Sequence, residues 1–312
     1  MISLRYHIVS LTAVFLALAV GVVLGSTAIS GRLLSGLSSD RAELGRQVND
    51  LQTEGNALRA RLTDANSFGL AVGPRTVRDT MRGRSVVLIT TADADPADRD
   101  ALTGLLGQAG AIVTEELQLT DAFTDPARSG RLSELTARLL PAGVTLPLTS
   151  DPGTLAGGLL GSLLLLNPST GQPQATPVET TAVLAGLGAG GFVRAGGAVQ
   201  PAQLAVVITG GAAGGDGSAE RAAVVARFAT ELDRSGAGAV LAGRPGSAQG
   251  NGPIGVARAD TAATSLLSTV DDVGTAAGRV VTVLALAEQA QGRSGRYGTA
   301  GNAQAVVPAI ED

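Results

Sequence analysis

The chain opens on an apolar segment that is long enough to cross a membrane. Residues 8–31 carry no charged side chain and consist mainly of Leu, Val, Ala and Ile. A helix rises about 1.5 Å per residue, so this segment extends about 36 Å and exceeds the hydrocarbon thickness of a bilayer. The pattern predicts a single-pass transmembrane anchor over residues 1–31. The alternatives are a cleaved signal peptide, with Ser26-Thr27-Ala28 as cleavage site, and a buried core helix.

A heptad periodicity follows the anchor, over residues 32–68. One row of apolar residues recurs every seven positions, and a second row lies three positions before or four positions after it. These heptad rows are Leu37, Leu44, Leu51 and Leu58, and Leu34, Val48 and Leu62. Such rows are typical of a coiled coil, in which each apolar side chain packs between four residues of a partner helix. Arg41 and Gly55 interrupt the second row.

The heptad rows predict a stalk that pairs with a second copy of the chain or with another coiled-coil protein. A single amphipathic helix that lies on its own domain is the alternative, although it would use a wider apolar stripe. Asn66 and Gly69 are expected to end the stalk helix. Residues 69–84, which include Gly73-Pro74, are expected to form a linker.

Strand and helix patterns alternate over residues 85–298. Buried strands are predicted at 85–90, 111–117, 203–209 and 237–242, an edge strand at 268–270, and helices at 96–108, 131–140, 154–165, 218–235 and 275–291. This alternation predicts an α/β body that is Rossmann-like, with a mostly parallel sheet and helices on both faces. Residues 299–312 are rich in Gly and Ala and are expected to form a flexible tail.

Three absences narrow the possible chemistry. The chain contains no Cys and no Lys, and its one histidine, His7, lies at the start of the anchor. A thiolate metal site, a Cys nucleophile, a Schiff base, a Walker-A lysine and a Ser-His-Asp triad therefore cannot be built in the body. We expect that the protein is not an enzyme.

The net charge of -4 is unevenly distributed along the chain. Residues 32–84 contain nine Arg against six acidic residues, whereas residues 85–312 contain 13 Arg against 21 acidic residues. An acidic body with only seven aromatic residues argues against nucleic-acid binding. The basic segment beside the anchor suits the anionic headgroups of a lipid bilayer. Charge alone leaves the orientation of the anchor open, because a large following domain weakens the positive-inside rule.

Two polar segments of the body are candidates for ligand binding. Asp93 and Asp95 follow the first strand and are candidate ligands for a hard cation. Their spacing fits no calcium loop, which favours the alternative of a helix cap and of acidic residues that complement the helix dipole. A glycine-rich loop at 210–217 lies between a strand and a helix, which is where phosphates bind. It lacks the G-x-G-x-x-G spacing, which favours a flexible loop with Ser218 as the next helix cap. Asp271-Asp272 is expected to cap the last helix.

Both ends of the chain resemble one family. The first 26 residues and the segments Thr269–Val273, Gly278–Val280, Val283–Leu286 and Gly292–Gly298 resemble the mycobacterial copper transport protein B family of actinobacteria. The resemblance covers nearly the whole chain and implies a cell-envelope protein of copper transport or homeostasis, with its body outside the cytoplasm. It also implies a link to cell separation through a coiled-coil partner. The alternative function is therefore a structural adaptor that recruits or activates a cell-wall hydrolase or a divisome protein.

Copper is implied by this resemblance alone, and no other cofactor is evident. The only thioether and imidazole groups in the chain are Met1, Met81 and His7. Copper(I) prefers thiolate, thioether or imidazole ligands, and copper(II) prefers imidazole. The family has also been described as channel-like outer-membrane proteins. The short, continuous strands and scarce aromatic residues of this body do not match a transmembrane barrel.

Overall fold

A computed structural model describes the backbone of residues 4–197, 199–212 and 214–309, together with their side chains except those of 26–40 and 42. The chain divides into two compact units, Met1–Ala65 and Asn66–Asp312. The helices are α1 (Leu4–Thr76), α2 (Pro96–Gln108), α3 (Asp121–Thr124), α4 (Ser129–Arg138), α5 (Pro152–Leu164), α6 (Pro177–Ala189), α7 (Ser218–Ser235), α8 (Pro253–Ala259), α9 (Thr261–Thr264) and α10 (Ala276–Gln289). The strands are β1 (Ser85–Thr90), β2 (Ile112–Leu119), β3 (Val193–Ala195), β4 (Leu204–Thr209), β5 (Ala239–Gly243), β6 (Ser268–Val270) and β7 (Arg296–Tyr297).

The first unit is a helix, the N-terminal part of α1. Its segment Leu4–Gly25 is long and apolar enough to cross a bilayer, and none of that segment is buried inside the protein. Helices of this length and composition bury their apolar side chains in lipid or in other protein. The predicted apolar N-terminal helix is therefore confirmed as an element of the structure.

The heptad rows lie on the same helix. Leu44, Val48, Leu51, Leu58 and Leu62 have between 50% and 69% of their surface exposed. The side chains of Leu34 and Leu37 lie outside the described residues. Since a single chain offers these rows no partner helix, the coiled coil stays a prediction.

The predicted end of the stalk helix is wrong. Helix α1 continues to Thr76 without a break at Asn66 or Gly69, so the predicted linker at 69–84 begins inside a helix. Two contacts with α10 explain the difference. The Asn66 side chain accepts a hydrogen bond of 2.7 Å from the Ala276 amide, and a Cβ on Gly69 would lie 3.0 Å from the Ala276 Cβ. The residues interpreted as helix breakers thus allow the end of α1, from Asn66 to Thr76, to pack closely against α10.

The second unit contains a seven-stranded sheet with the order β3-β2-β1-β4-β5-β6-β7. Every neighbouring pair is parallel except β2 and β3, which are antiparallel. The predicted α/β class with a mostly parallel sheet is confirmed. The predicted edge strand at 268–270 is an inner strand, because the two-residue β7 pairs with it on the outside.

Helices cover both faces of the sheet. Alternate residues of β4 point to opposite sides: Ala205 and Val207 pack beneath α4, α5, α6 and α7, whereas Val206 and Ile208 pack against α2 and α10. All six residues of β4 are buried. A strand covered on both faces reads as a continuous apolar run, which is why this strand was visible in the sequence.

Two expected helix caps are corrected, whereas the flexible tail stays a prediction. Within the described part of the tail, Ala305 pairs with Tyr297, and the Gly298 amide donates to the Ala305 carbonyl over 3.1 Å. Helix α7 has Gly217, in a left-handed conformation, at its cap position, rather than Ser218. Helix α10 is capped by Thr275, whose hydroxyl accepts from the Gly278 amide, rather than by Asp271-Asp272.

Candidate functional site

The carboxyl ends of β1 and β4 meet at a topological switch point. From β1 the chain passes to β2 on one side of the sheet, and from β4 it passes to β5 on the other. Open parallel sheets bind ligands outside the strand ends at such a point. A cleft of about 230 Å³ lies here, lined by the segments that follow β1, β2 and β4 and by helix α7.

The cleft has polar and charged walls over an apolar base. The Thr91 hydroxyl donates a hydrogen bond to the Asp93 carboxylate. Asp121 lines a second wall, and Arg221, in the first turn of α7, lines a third. Leu119 and Val225 form part of the base. Sequence reasoning singled out Asp93 but missed Arg221, because only the fold brings α7 opposite the segment after β1.

Two acidic residues after β1, Asp95 and Asp98, connect different elements of the body through ion pairs. The Asp95 carboxylate accepts from the Ala97 amide over 2.8 Å at the start of α2 and pairs with the Arg244 guanidinium over 2.6 Å. The buried Asp98 binds Arg244 over 2.6 Å and Arg279 over 3.4 Å. Both carboxylates therefore have protein donors, and they join the loop after β5 and helix α10 to α2.

Met81 and His7 are the thioether and imidazole groups in the described parts of the chain. Met81 is completely buried beneath the sheet, in the cluster with α2 and α10. His7 lies in the apolar segment of α1. No group of three or more His, Cys, Asp or Glu residues that could hold a metal ion occurs among the described residues.

A buried ion pair joins α8 to the end of β6. Arg258 and Asp271 each have 2% of their side chain exposed, and their charged groups lie 2.7 Å apart. Arg258 also donates to the Tyr297 carbonyl over 2.7 Å and to the Asn302 side chain over 2.8 Å. Burial lowers the pKa of Arg258, whereas the hydrogen bond and the charge of Asp271 raise it. This pair ties the C-terminal segment to the body.

Asp233, near the end of α7, is a buried titratable group. Its carboxylate accepts a hydrogen bond of 2.6 Å from the Ala239 amide, at the start of β5. Burial raises the pKa of Asp233 from its ordinary value of 3.8 to about 6, against the opposing effects of the Ala239 hydrogen bond and the Arg234 charge.

We expect Asp233 to make the body less stable as the pH rises from about 4 to about 6. In this window the folded protein holds a proton that the unfolded chain has released, so the free energy of unfolding falls with rising pH. The rise of the Asp233 pKa from 3.8 to about 6 corresponds to a loss of unfolding free energy on the order of 3 kcal/mol. Asp233→Asn should therefore gain stability relative to the wild type between pH 4.5 and pH 7.5, as measured by urea unfolding. Glu220→Gln, an exposed change in the same helix, is the control. A difference in the free energy of unfolding between the wild type and Asp233→Asn that stays constant over this pH range would contradict the prediction.

The fold and these sites define a class of protein: a chain with one candidate membrane-spanning helix at its N-terminus and an α/β body covered by helices on both faces. The chain belongs to the MctB family, described as copper transport outer membrane protein, whose family model matches residues 1–308.

Curated relatives match along nearly their whole length. The chain is 41% identical over 316 residues to the copper transporter MctB of Mycobacterium bovis and to that of Mycobacterium tuberculosis. It is 38% identical over 315 residues to the copper transporter MctB of Mycobacterium leprae. Each alignment covers 98% of this chain and 99% of the relative.

Proposed function

We propose that this protein is a membrane-anchored, non-enzymatic component of copper homeostasis in the cell envelope, with its α/β body outside the cytoplasm. The observation that carries the proposal is the match, over 98% of the chain, to relatives that are named copper transporters. The exposed apolar segment Leu4–Gly25 supports the anchor, since an apolar helix of 22 residues is stabilised by lipid.

The side chains of the body favour a role without catalysis. The chain lacks Cys and Lys, and its single His lies in the apolar helix. Copper is the cargo in this proposal. The thioether of Met81 is completely buried and therefore does not meet copper ions from the solvent. We therefore propose that the body affects copper transport without a high-affinity copper site of its own.

The test measures the copper content of a mycobacterial strain from which its own relative of this protein has been deleted. Expression of the full chain should lower the accumulated copper and restore growth at a raised copper concentration. An empty vector is the negative control, and expression of the chain without residues 1–31 should fail because the body is no longer anchored. Copper content that is unchanged by the full chain would contradict the proposal.

The orientation of the anchor can be tested with single cysteines, because the natural chain has none. Leu148, a fully exposed residue of the body, and Leu4, at the start of the apolar helix, are suitable positions. In spheroplasts, a membrane-impermeant maleimide should label Leu148→Cys and should label Leu4→Cys only after the membrane is permeabilised. The reverse pattern would place the body in the cytoplasm and overturn this part of the proposal.

A second candidate function is a structural adaptor whose heptad rows pair with a partner helix. The exposure of Leu44, Leu51 and Leu58 favours it, because exposed leucines at heptad spacing are stabilised when they pack between helices. A coiled coil of this kind could recruit or activate a cell-wall hydrolase or a divisome protein. This function and copper homeostasis can reside in one protein, since they use different parts of the chain.

We propose a second copy of the chain, in parallel orientation, as the first partner of the heptad rows. Two copies anchored by the same N-terminal helix emerge from the membrane in the same direction. With the row of Leu51 at heptad position d, Glu54 takes position g and Arg59 takes position e of the next heptad. In a parallel pair, Glu54 of one chain then faces Arg59 of the other, and such pairs select partner and orientation.

A further inference from the structure

We infer that the cleft at the switch point binds a small zwitterion with an apolar side chain, of the chemical class of a free aliphatic amino acid. This binding site is independent of the copper function proposed above. Four observations carry the inference: opposite charges that do not pair with each other, a threonine at the end of β4, a glycine with open space beside it and an apolar base.

Charges of both signs face the cleft without pairing with each other. Arg221 lines one wall, and Asp93 and Asp121 line the others. No ion pair within 4.0 Å joins Arg221 to an acidic residue in the described part of the chain. One cation and two carboxylates therefore line the same cleft of about 230 Å³ without forming an ion pair with one another. A ligand that carries one charge of each sign would complement both walls.

Thr209 is a buried polar group that opens onto the same space. The residue has only 2% of its surface exposed and lines the cleft at the end of β4. Its hydroxyl can both donate and accept a hydrogen bond. A polar ligand group in the cleft would therefore find a hydrogen-bond partner at the end of β4.

In the glycine-rich loop, close contacts or positive φ angles explain some of the glycines but not Gly214. A Cβ on Gly210 would lie 2.5 Å from the Asp93 carboxylate, and one on Gly211 would lie 2.9 Å from the Pro245 carbonyl. Gly215 and Gly217 have positive φ angles of 87° and 73°. Gly214 has neither constraint: no atom lies within 4 Å of its Cβ position, and it lines the cleft. The space beside Gly214 is therefore available to a ligand.

Each part of the proposed ligand matches a different group of residues that line the cleft. A carboxylate suits Arg221 and the N-terminal turn of α7, where backbone amides and the helix dipole favour negative charge. An ammonium group suits Asp93 and Asp121, which line the same cleft. The base, formed by Leu119, Val225 and Pro253, suits an aliphatic side chain. Together these groups describe an aliphatic amino acid rather than a phosphate or a nucleotide.

The test is isothermal titration calorimetry of the full-length protein in detergent with three probes. L-leucine carries both charges, 4-methylpentanoate lacks its ammonium group, and 3-methylbutylamine lacks its carboxylate. We expect L-leucine to bind and each single-charge analogue to bind at least tenfold more weakly. Absence of L-leucine binding, or binding of 4-methylpentanoate as strong as that of L-leucine, would overturn the inference.

Variants of the same protein locate the binding. Arg221→Gln and Asp93→Asn should each weaken L-leucine binding at least tenfold. Gly214→Leu should abolish binding while the melting temperature of the ligand-free protein stays unchanged, because the new side chain enters open space. Arg227→Gln, which changes an arginine of α7 that is paired with Asp151 outside the cleft, is the matched control and should bind normally. L-leucine binding that survives both Arg221→Gln and Gly214→Leu would show that the ligand lies elsewhere.

Discussion

Replacement of Leu44 and Leu51 by Asn is expected to convert the full-length protein from a dimer into a monomer. In the proposed coiled coil each of these residues would form an apolar layer with its counterpart in the second chain. Loss of a buried leucine layer costs roughly 2–4 kcal/mol. Two layers therefore raise the dissociation constant by about a thousandfold or more. Mass photometry of the protein in nanodiscs measures the change directly.

The control for this pair of substitutions is Ala57→Asn with Ala60→Asn. These alanines are exposed on the same helix and lie away from the heptad rows. Asn has a lower helix propensity than Ala, so the control weakens the isolated helix at least as much as the test variant does. A control that stays dimeric, together with a monomeric test variant, assigns the dimer to the heptad rows. A test variant that remains dimeric, or a wild type that is monomeric at all concentrations, would refute pairing with a second copy.

Arg258→Ala is expected to lower the free energy of unfolding of the body by about 3–5 kcal/mol, because it leaves the Asp271 carboxylate buried without its cation. For a body of this size the melting temperature should fall by roughly 10 °C. Thermal unfolding followed by circular dichroism provides the measurement. The C-terminal segment should also become sensitive to proteolysis, because Arg258 holds Asn302 and the Tyr297 carbonyl.

Two comparisons separate the buried pair from an ordinary ion pair. Arg131→Ala breaks an exposed pair with Glu134, whose side chains are 50% and 58% exposed, and should change stability by less than about 1 kcal/mol. The double variant Arg258→Met with Asp271→Asn removes both charges and should recover part of the stability lost in Arg258→Ala. A loss in Arg258→Ala as small as that in Arg131→Ala would contradict the role assigned to the pair.

Local sequence signals predicted the elements of the body well. The bounds of β1, of α7 and of β6 agree with the structure, and α2 begins after Asp95 as its Asp-Pro signal predicts. Helix α6 was missed although its signal is present: Thr176 and Glu179 form a capping box around Pro177. No helix was predicted over these residues.

The long helix shows where local signals mislead. Glycine and proline near residues 69–74 predict a linker on propensity alone. In the structure, α10 packs against this part of α1, and a Cβ on Gly73 would lie 2.8 Å from Val280. Close helix packing gives these glycines a tertiary role that no window of neighbouring residues contains.

The sequence by itself determined the apolar N-terminal helix, the alternation of strands and helices, the family and the absence of thiol and amine chemistry. Each of these depends on composition or on residues close together along the chain. Only the tertiary structure decided that Asp98 binds Arg244 and Arg279, that Arg258 and Asp271 form a buried pair, and that Arg221 and Asp93 line one cleft. The partners in these contacts come from different elements of the fold, and in the cleft and around Asp98 they lie more than a hundred residues apart. Their meeting depends on strand order and helix packing, which local periodicity does not encode.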